Sequence, residues 1–516
     1  MNQAILRFGD GYASVEPNIP EALFKKLKYW HRSFTNNYGK MIATGEYREL
    51  YTVSGQINST QQFVQRLVTM PGFVYRIKTC LVSEGYDVQL VDERTPMPYP
   101  DYAAAFEQLR DYQCECAYTA IASGGGIVAC PTGWGKTHIM GSIIRAYKHD
   151  ELAMRGTPIV VVAAPEKDIT TKNYNDLIGM LPGREIGLVM SGKKKFSDDV
   201  QVITLDSLHL MDPADVGILI VDEVHTSAAS SRSENILAFA KAAKWGVSAT
   251  PTGRFDGRDL VTEGLFGPVV YSRTYAQGIT DGALVPISVY WLNCPEPHIG
   301  LDKYQNYKTR IGKYRHGVDR NANQNNLVIE LLKRIPDSKQ TLCIMPHVDQ
   351  INILVGLNKN LQYVHAVSDQ ARLTQEQYRN LSPITPKERI RIYGEMNEGK
   401  IRKILSTYVY KQGVNFPQLE VIINAGGGGS DIVAAQIPGR ESRNIDGKTE
   451  AVLIDFWHPW DMQTDKENKR RPGPIHSDDR SREKVYDELG FKQYWLAGLD
   501  DLPILKGNVN ANEGQN

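Results

Sequence analysis

The run Pro131-Thr132-Gly133-Trp134-Gly135-Lys136-Thr137 follows directly on the apolar stretch Ile127–Cys130. A strand that delivers a glycine-rich turn to a helix N-terminus is a phosphate-binding loop. Glycines let backbone N–H groups turn toward phosphate oxygens, and the helix dipole favours negative charge there. Lys136 would reach the β- and γ-phosphates, and the Thr137 hydroxyl would ligate Mg2+. Cys130 stands where the general pattern has its first glycine. Taken alone, the motif has a plain alternative, a chance Gly-Lys-Thr turn.

Further along, the apolar run Ile218–Val221 ends in Asp222-Glu223-Val224-His225. A strand bringing two carboxylates to its C-terminal end suits a metal and an attacking water. Asp222 would hold the Mg2+, and Glu223 would polarise the water. An isolated acidic pair after a strand is as readily structural; after a phosphate loop it gains meaning, because ligands of open α/β sheets collect outside the strand C-termini. Upstream lies Leu109-Arg110-Asp111-Tyr112-Gln113. The Gln113 amide can read the donor/acceptor edge of adenine, and a neighbouring aromatic or arginine, Tyr112 or Arg110, can stack on it. By itself this stretch is an ordinary amphipathic helix start.

Ser248-Ala249-Thr250-Pro251 closes a strand, Trp245–Ala249, where its hydroxyls could sense the γ-phosphate; polar capping of a strand end is the simpler reading. Late in the chain, Arg440 and Arg443 stand three apart in Gln436-Ile437-Pro438-Gly439-Arg440-Glu441-Ser442-Arg443, on one face of an expected helix. Guanidinium is planar, forked and permanently charged, which suits the equatorial oxygens of a transferring phosphoryl group. A solvated arginine pair is the alternative. Between these lie Ser406-Thr407-Tyr408 and Gln412-Gly413-Val414-Asn415-Phe416-Pro417.

The elements that must position these residues are visible as rhythm. Short apolar runs separated by helical stretches recur at Ile127–Cys130, Ile159–Ala164, Val202–Leu205, Ile218–Val221 and Trp245–Ala249. The rhythm resumes at Thr341–Met345, Tyr363–Val367, Ile404–Tyr408, Val421–Asn424 and Val452–Phe456. Continuous apolar strands alternating with helices predict two parallel sheets, each buried on both faces. The first hundred residues predict a small α+β unit. In it, an Asp10-Gly11 turn makes a hairpin of Ala4–Leu6 and Tyr12–Val15. A helix starts near Pro20 and runs through Phe24, Leu27 and Trp30, and a helix over Phe73–Glu84 stops at Gly85 before a strand, Asp87–Val91. Gly426–Gly429, at a strand end, reads as a tight loop, and the polar stretch 506–516 as a disordered tail.

The 516 residues exceed a single core. No apolar run approaches the ~20 residues of a membrane span, and the six cysteines form no CxxC pair, which speaks against a zinc or iron–sulfur site and fits a reduced cytoplasm. A net charge of zero leaves nucleic acid open as a partner, since only the local patch meets the phosphates.

Gln113, Gly135-Lys136-Thr137, Asp222-Glu223-Val224-His225, Ser248-Ala249-Thr250, Gly413 and Gln436 through Arg443 together resemble the ordered motifs of the superfamily 2 DExH helicases, over roughly residues 105–460. Ser248 through Gly257, Phe266 through Val270 and Gly282 through Pro286 resemble the DNA-acting members. Gly85 through Arg94, and His476, Arg480, Tyr486, Gly490 and Phe491, resemble the outer parts of phage UvsW-type branch-migration helicases and their bacterial repair relatives. Asn415 stands where the family has Asp.

The resemblance implies an α/β fold of two tandem RecA-like lobes with a small α+β N-terminal domain. The boundaries would be 1–100 for a DNA-recognising accessory domain, 101–285 for the ATP-binding lobe, 286–460 for the second lobe and 461–516 for an extension. It implies ATP and Mg2+ held by Arg110, Gln113, residues 131–137, Asp222, Glu223, Gly413 and Gln436, with Lys136, Glu223, Arg440 and Arg443 catalytic. It further implies single-strand tracking on forked or junction DNA, with Pro165, Thr170, Lys172, Thr204, Ser207, Ser406 and Thr407 as phosphate contacts. Lys193–Lys195, Lys303–Arg320 and Lys469–Arg471 would add charge or be merely solvated. An RNA helicase, or a nucleic-acid clamp gated by ATP, stands as the rival reading.

Overall fold

The Asp10-Gly11 turn joins β1 (Asn2–Gly9) to β2 (Tyr12–Pro17) with Gly9 opposite Tyr12, and Gly11 takes the positive φ of 84° that such a two-residue turn requires. This is a computed structural model. It describes residues 2–17, 19–37, 40–57, 63–251, 256–298, 309–367, 378–407, 416, 418–428, 448–464 and 469–505. Two compact units emerge: Met1–Pro131 with Gly135–Arg273, and Thr132–Trp134 with Thr274–Asn516.

In the first unit, β1 and β2 join β5 (Tyr51–Ile57), β6 (Phe63–Thr69) and β7 (Tyr86–Asp92) in a five-stranded sheet ordered β5-β6-β2-β1-β7. The helix Val74–Ser83 covers it and stops at Gly85, as expected. The helix that starts at Pro20 is shorter than expected. It spans Glu21–Lys26 only, and Trp30 lies instead on β3 (Lys28–Asn37), paired with β4 (Lys40–Glu49) in a separate two-stranded ribbon. The aromatic and β-branched residues Tyr29, Trp30, Phe34 and Thr35 favour a pleated strand, and a ten-residue partner outweighs the weak helical period.

The remainder of this unit is an eight-stranded sheet built from β8 (Gly126–Ala129), β9 (Ile159–Ala164), β10 (Ile186–Met190), β11 (Lys193–Lys195), β12 (Val200–Thr204), β13 (Val216–Asp222), β14 (Ala243–Ser248) and β15 (Val269–Ser272). Its order is β11-β10-β12-β9-β13-β14-β8-β15. Only β11, the exposed Lys193–Lys195 edge, is antiparallel. Every residue of β9 and β13 is buried, the signature of a sheet covered on both faces. Because β8, β14 and β13 are adjacent and parallel, the three motif-bearing strand ends open at one edge.

The N-terminal sheet docks on this lobe through Arg76, whose guanidinium grips Glu263 with Nε 2.7 Å from Oε1.

In the second unit, β16 (Ile287–Asn293), β17 (Gln340–Ile344), β18 (Gln362–Val364), β19 (Lys403–Ser406), β20 (Leu419–Asn424) and β21 (Ala451–Trp457) form the parallel sheet expected there, ordered β18-β19-β17-β20-β21-β16. The short pair β22 (Met462–Thr464) and β23 (Arg470–Pro472) carries Arg470 and Arg471. The helix Pro474–Glu488 then leads to β24 (Lys492–Leu496), which completes the sheet beside β16. From that helix the buried Arg482 donates to Asp455 through Nε and Nη2 at 2.9 Å each, to Asp479 through Nη2 at 3.1 Å and to the Gly428 carbonyl through Nη1 at 2.8 Å. No described helix is long and apolar enough to cross a membrane. Residues 506–516, the expected tail, lie outside the described residues.

Candidate active site

Strand β8 leads into the buried Cys130, whose N–H donates to Ser248 O at 3.1 Å and so ties the loop's start to the end of β14. Burial pushes up the thiol pKa of Cys116, and the neighbouring Cys130 adds to the rise. Gly133 and Gly135 take φ of 90° and 107°, and Gly135 caps the helix Lys136–Arg145. Lys136 Nζ donates to Cys130 O at 3.2 Å, which folds the ammonium over the loop. This is the cradle a polyphosphate needs: inward-turning backbone, a helix N-terminus and a cation.

Gln113 is buried on the helix Asp111–Ala122, and its Oε1 accepts from Arg110 N at 3.0 Å. A Cβ at Gly135 would collide with the Gln113 amide nitrogen, so that residue must be glycine for the amide to lie against the phosphate loop. Arg110 is exposed, with Nη1 3.0 Å from the Tyr112 hydroxyl. Trp134 has its indole buried within the second unit, where Nε1 donates to Asp281 Oδ2 at 2.9 Å. Only its backbone is thus suited to the nucleotide.

Strand β13 delivers Asp222 and Glu223. Asp222 is buried; its Oδ2 accepts from Asn173 Nδ2 and its Oδ1 from Glu223 N, both at 2.9 Å. Glu223 sits in the left-handed region at φ 49°, uncommon for a residue with a long side chain. Behind it, His225 Nδ1 lies 3.0 Å from Ser248 Oγ, which donates to Glu223 Oε2 at 3.4 Å and accepts from Thr250 N at 3.1 Å. Gly246 in β14 makes room for this crossing, since a Cβ there would strike Val224. The acidic box and the Ser248-Ala249-Thr250 turn are therefore one hydrogen-bonded assembly. Thr137 and Asp222 offer a hydroxyl and a carboxylate without thiolate or imidazole, a donor set that fits a hard cation sharing phosphate oxygens.

The expected phosphate contacts of a tracked strand divide. Pro165 follows β9 and is half-buried. Thr204 and Ser207 bond each other at 2.8 Å at the end of β12. Thr170 does not present its hydroxyl: it is buried and donates to Glu166 O at 2.7 Å, because its helix packs that face on the sheet. Ser406 is likewise buried, with Oγ donating to Thr407 O at 2.6 Å, and Thr407 is nearly so. Lys172 lies at the phosphate end instead, with Nζ 3.2 Å from Thr137 Oγ1 and 2.7 Å from Asp176 Oδ2. Lys172 and Asn173 thus reach the two expected metal ligands from one helix; an Asn in mid-helix gave no sequence signal of this. Gly413, Gln436, Arg440 and Arg443 lie outside the described residues.

Residues 106–253 match the family described as "Type III restriction enzyme, res subunit", and residues 323–444 the "Helicase conserved C-terminal domain". The "DNA 3'-5' translocase XPB2" of Sulfurisphaera tokodaii is 25% identical over 385 residues, covering 70% of this chain and 83% of that protein. The solved structure of S. cerevisiae Dbp5 bound to RNA and ADP BeF3 is 14% identical and covers 78% of this chain and 95% of that one at a TM-score of 0.53. The crystal structure of T4 UvsW is 17% identical and covers 96% and 99% at a TM-score of 0.39. The Dbp5 likeness shows the fold, two tandem RecA-like lobes, to which this chain adds its N-terminal sheet.

Proposed function

Because the chain belongs to the superfamily 2 helicases, we propose that it is an ATP-driven DNA translocase that unwinds or branch-migrates forked and junction DNA. The observation that carries this reading is the Glu223–Ser248–His225 assembly beside the phosphate loop. A protein that only bound nucleotide would gain nothing from joining its water-activating carboxylate to a neighbouring strand end. A motor must, because hydrolysis has to be felt elsewhere.

In this reading Lys136 and the loop backbone hold the β- and γ-phosphates. Glu223 accepts a proton from the attacking water, and Arg440 and Arg443 stabilise the charge on the transferring group. Mg2+, held through Thr137 and Asp222, would supply charge neutralisation at the phosphate oxygens. Gln113 reads the adenine edge beside Gly135. Residues 101–285 serve as the ATP-binding lobe, 286–460 as its companion, 461–516 as an extension and 1–100 as the DNA-recognising accessory.

DNA rather than RNA is supported by the Sulfurisphaera tokodaii relative, which is named a DNA translocase; the fold itself does not discriminate, since Dbp5 carries it on RNA. The test is steady-state ATPase with single-stranded DNA, blunt duplex, forked DNA and single-stranded RNA at one salt concentration. Forked DNA should stimulate most, and preferential stimulation by RNA would overturn the DNA assignment.

A further inference from the structure

The β3–β4 ribbon stands apart in charge as well as in topology. The chain has 59 basic and 59 acidic residues, yet the ribbon, Lys28 through Glu49, holds Lys28, Arg32, Lys40 and Arg48 against Glu46 and Glu49. Aromatics are interleaved with that charge, at Tyr29, Trp30, Phe34, Tyr38 and Tyr47. Among the described residues the two strands pair with each other and not with the five-stranded sheet.

Its base has two unlike faces. His31 is buried and Tyr29 packs on the core of the first lobe, so strand alternation turns Lys28 and Trp30 outward. Trp30 lies directly opposite Tyr47 in the register. Their rings meet edge to face with centroids 4.8 Å apart, yet Trp30 remains 44% and Tyr47 66% exposed. The Lys28 ammonium hangs 5.5 Å from the Tyr47 ring centre. The base is seated by close backbone approach: a Cβ at Gly257 would collide with the Trp30 carbonyl. Gly257 leads into the helix Asp259–Phe266, so the base of the ribbon is seated on the first lobe.

We propose that the base of this ribbon is a nucleic-acid contact, in which Trp30 and Tyr47 stack on unpaired bases at a strand junction and Lys28 meets the adjoining phosphate. The inference rests on the DNA-motor reading above and names the part that would recognise the junction. Every base has a π-face, so such stacking tolerates any sequence but requires bases not already enclosed in a duplex. A pair stabilising only the fold would bury its rings, whereas these leave much of their area in water beside a cation. Protein self-association is the other use of exposed rings, and the local excess of positive charge opposes it.

The experiment compares the full wild-type chain with Trp30→Ala/Tyr47→Ala, Trp30→Phe/Tyr47→Phe and Lys28→Ala. Equilibrium binding is measured to forked DNA with unpaired arms and to a blunt duplex of the same sequence, with sedimentation velocity on each protein. Loss of stacking should weaken fork binding by about 10–100-fold, from ~1–3 kcal/mol per stacked base, with a much smaller change on blunt duplex. The Phe variant keeps ring faces and should retain fork affinity. Lys28→Ala should lower the salt slope of fork binding by about one unit. Fork affinity unchanged in the Ala variant overturns the proposal, as does a change in oligomeric state with fork affinity intact. A wild-type chain that binds neither fork nor blunt duplex removes the motor reading as well, whereas a fork-binding wild type with an indifferent variant removes this inference alone.

Discussion

His225 Nδ1 lies 3.0 Å from Ser248 Oγ with both side chains buried, so the end of the acidic box and the end of the neighbouring strand share a hydrogen bond. Glu223 touches the same hydroxyl. Ser248→Ala should leave ATP affinity nearly unchanged while DNA-stimulated turnover falls by about tenfold, the effect of losing a bond worth ~1.5 kcal/mol to a charged group. Nucleotide binding measured beside ATPase with and without DNA checks this. A loss confined to nucleotide binding would make Ser248 part of the cradle rather than a link.

Lys136→Ala should abolish hydrolysis, because the ammonium folded over the loop at Cys130 O is the cation aimed at the phosphates. Glu223→Gln should bind ATP normally yet turn over about 10²–10⁴-fold more slowly, since the amide keeps the shape and loses the base. Wild-type rates in the first variant, or lost binding in the second, would contradict the assigned roles.

Arg440→Ala and Arg443→Ala should each slow hydrolysis, by as much as the ~10³–10⁵ typical of arginine fingers, with ATP affinity changed far less. Single-turnover kinetics with saturating ATP separates the two effects, and unchanged turnover in both variants would exclude them from the reaction.

A pH dependence follows from the second unit. His458 is fully buried, with Nδ1 3.1 Å from Asp479 Oδ2 and Nε2 3.0 Å from Gln324 Oε1. Burial opposes its charge, but the Asp479 carboxylate prevails and raises the imidazolium pKa to about 10; Cys294 adds to the rise, while Arg482 and His476 share Asp479. A raised folded-state value means stability present in full below the unfolded value of ~6.5 and lost progressively as pH climbs toward 10. Urea unfolding at pH 6, 7.5 and 9 should show a falling midpoint that His458→Gln flattens. Parallel profiles in the two proteins would mean that His458 is neutral in the fold.

The apolar runs that announce parallel strands were legible because burial on both faces leaves few polar interruptions: each overlaps one of β8, β9, β12, β13, β14, β17, β18, β19, β20 and β21, though β18 takes only Tyr363 and Val364 of its run, β19 stops at Ser406, and Tyr408 lies outside the described residues. Strand β16 (ISVYWLN) and strand β24 (KQYWL) were not: Ser288 interrupts the first, and Lys492 and Gln493 leave the second only three apolar residues. Trp30 misled because three apolar residues at helical spacing cannot reveal a cross-strand partner such as Tyr47. In the site, Lys136, Asp222 and Glu223 stand out because phosphate chemistry admits few alternatives. Thr170 and Ser406 were less legible: a hydroxyl after a strand faces solvent or the backbone according to packing, and here Glu166 O and Thr407 O take them.

The position of β16 bears on how the chain is made. It begins at residue 287 and sits between β21 and β24, which end at residues 457 and 496. On the ribosome, both hydrogen-bonding edges of this apolar strand stay without native partners until nearly the whole chain has emerged, while the N-terminal sheet can already close once β7 pairs with β1. The nascent second lobe therefore carries its own aggregation hazard for most of its synthesis, and chaperone demand should concentrate there rather than at the first lobe.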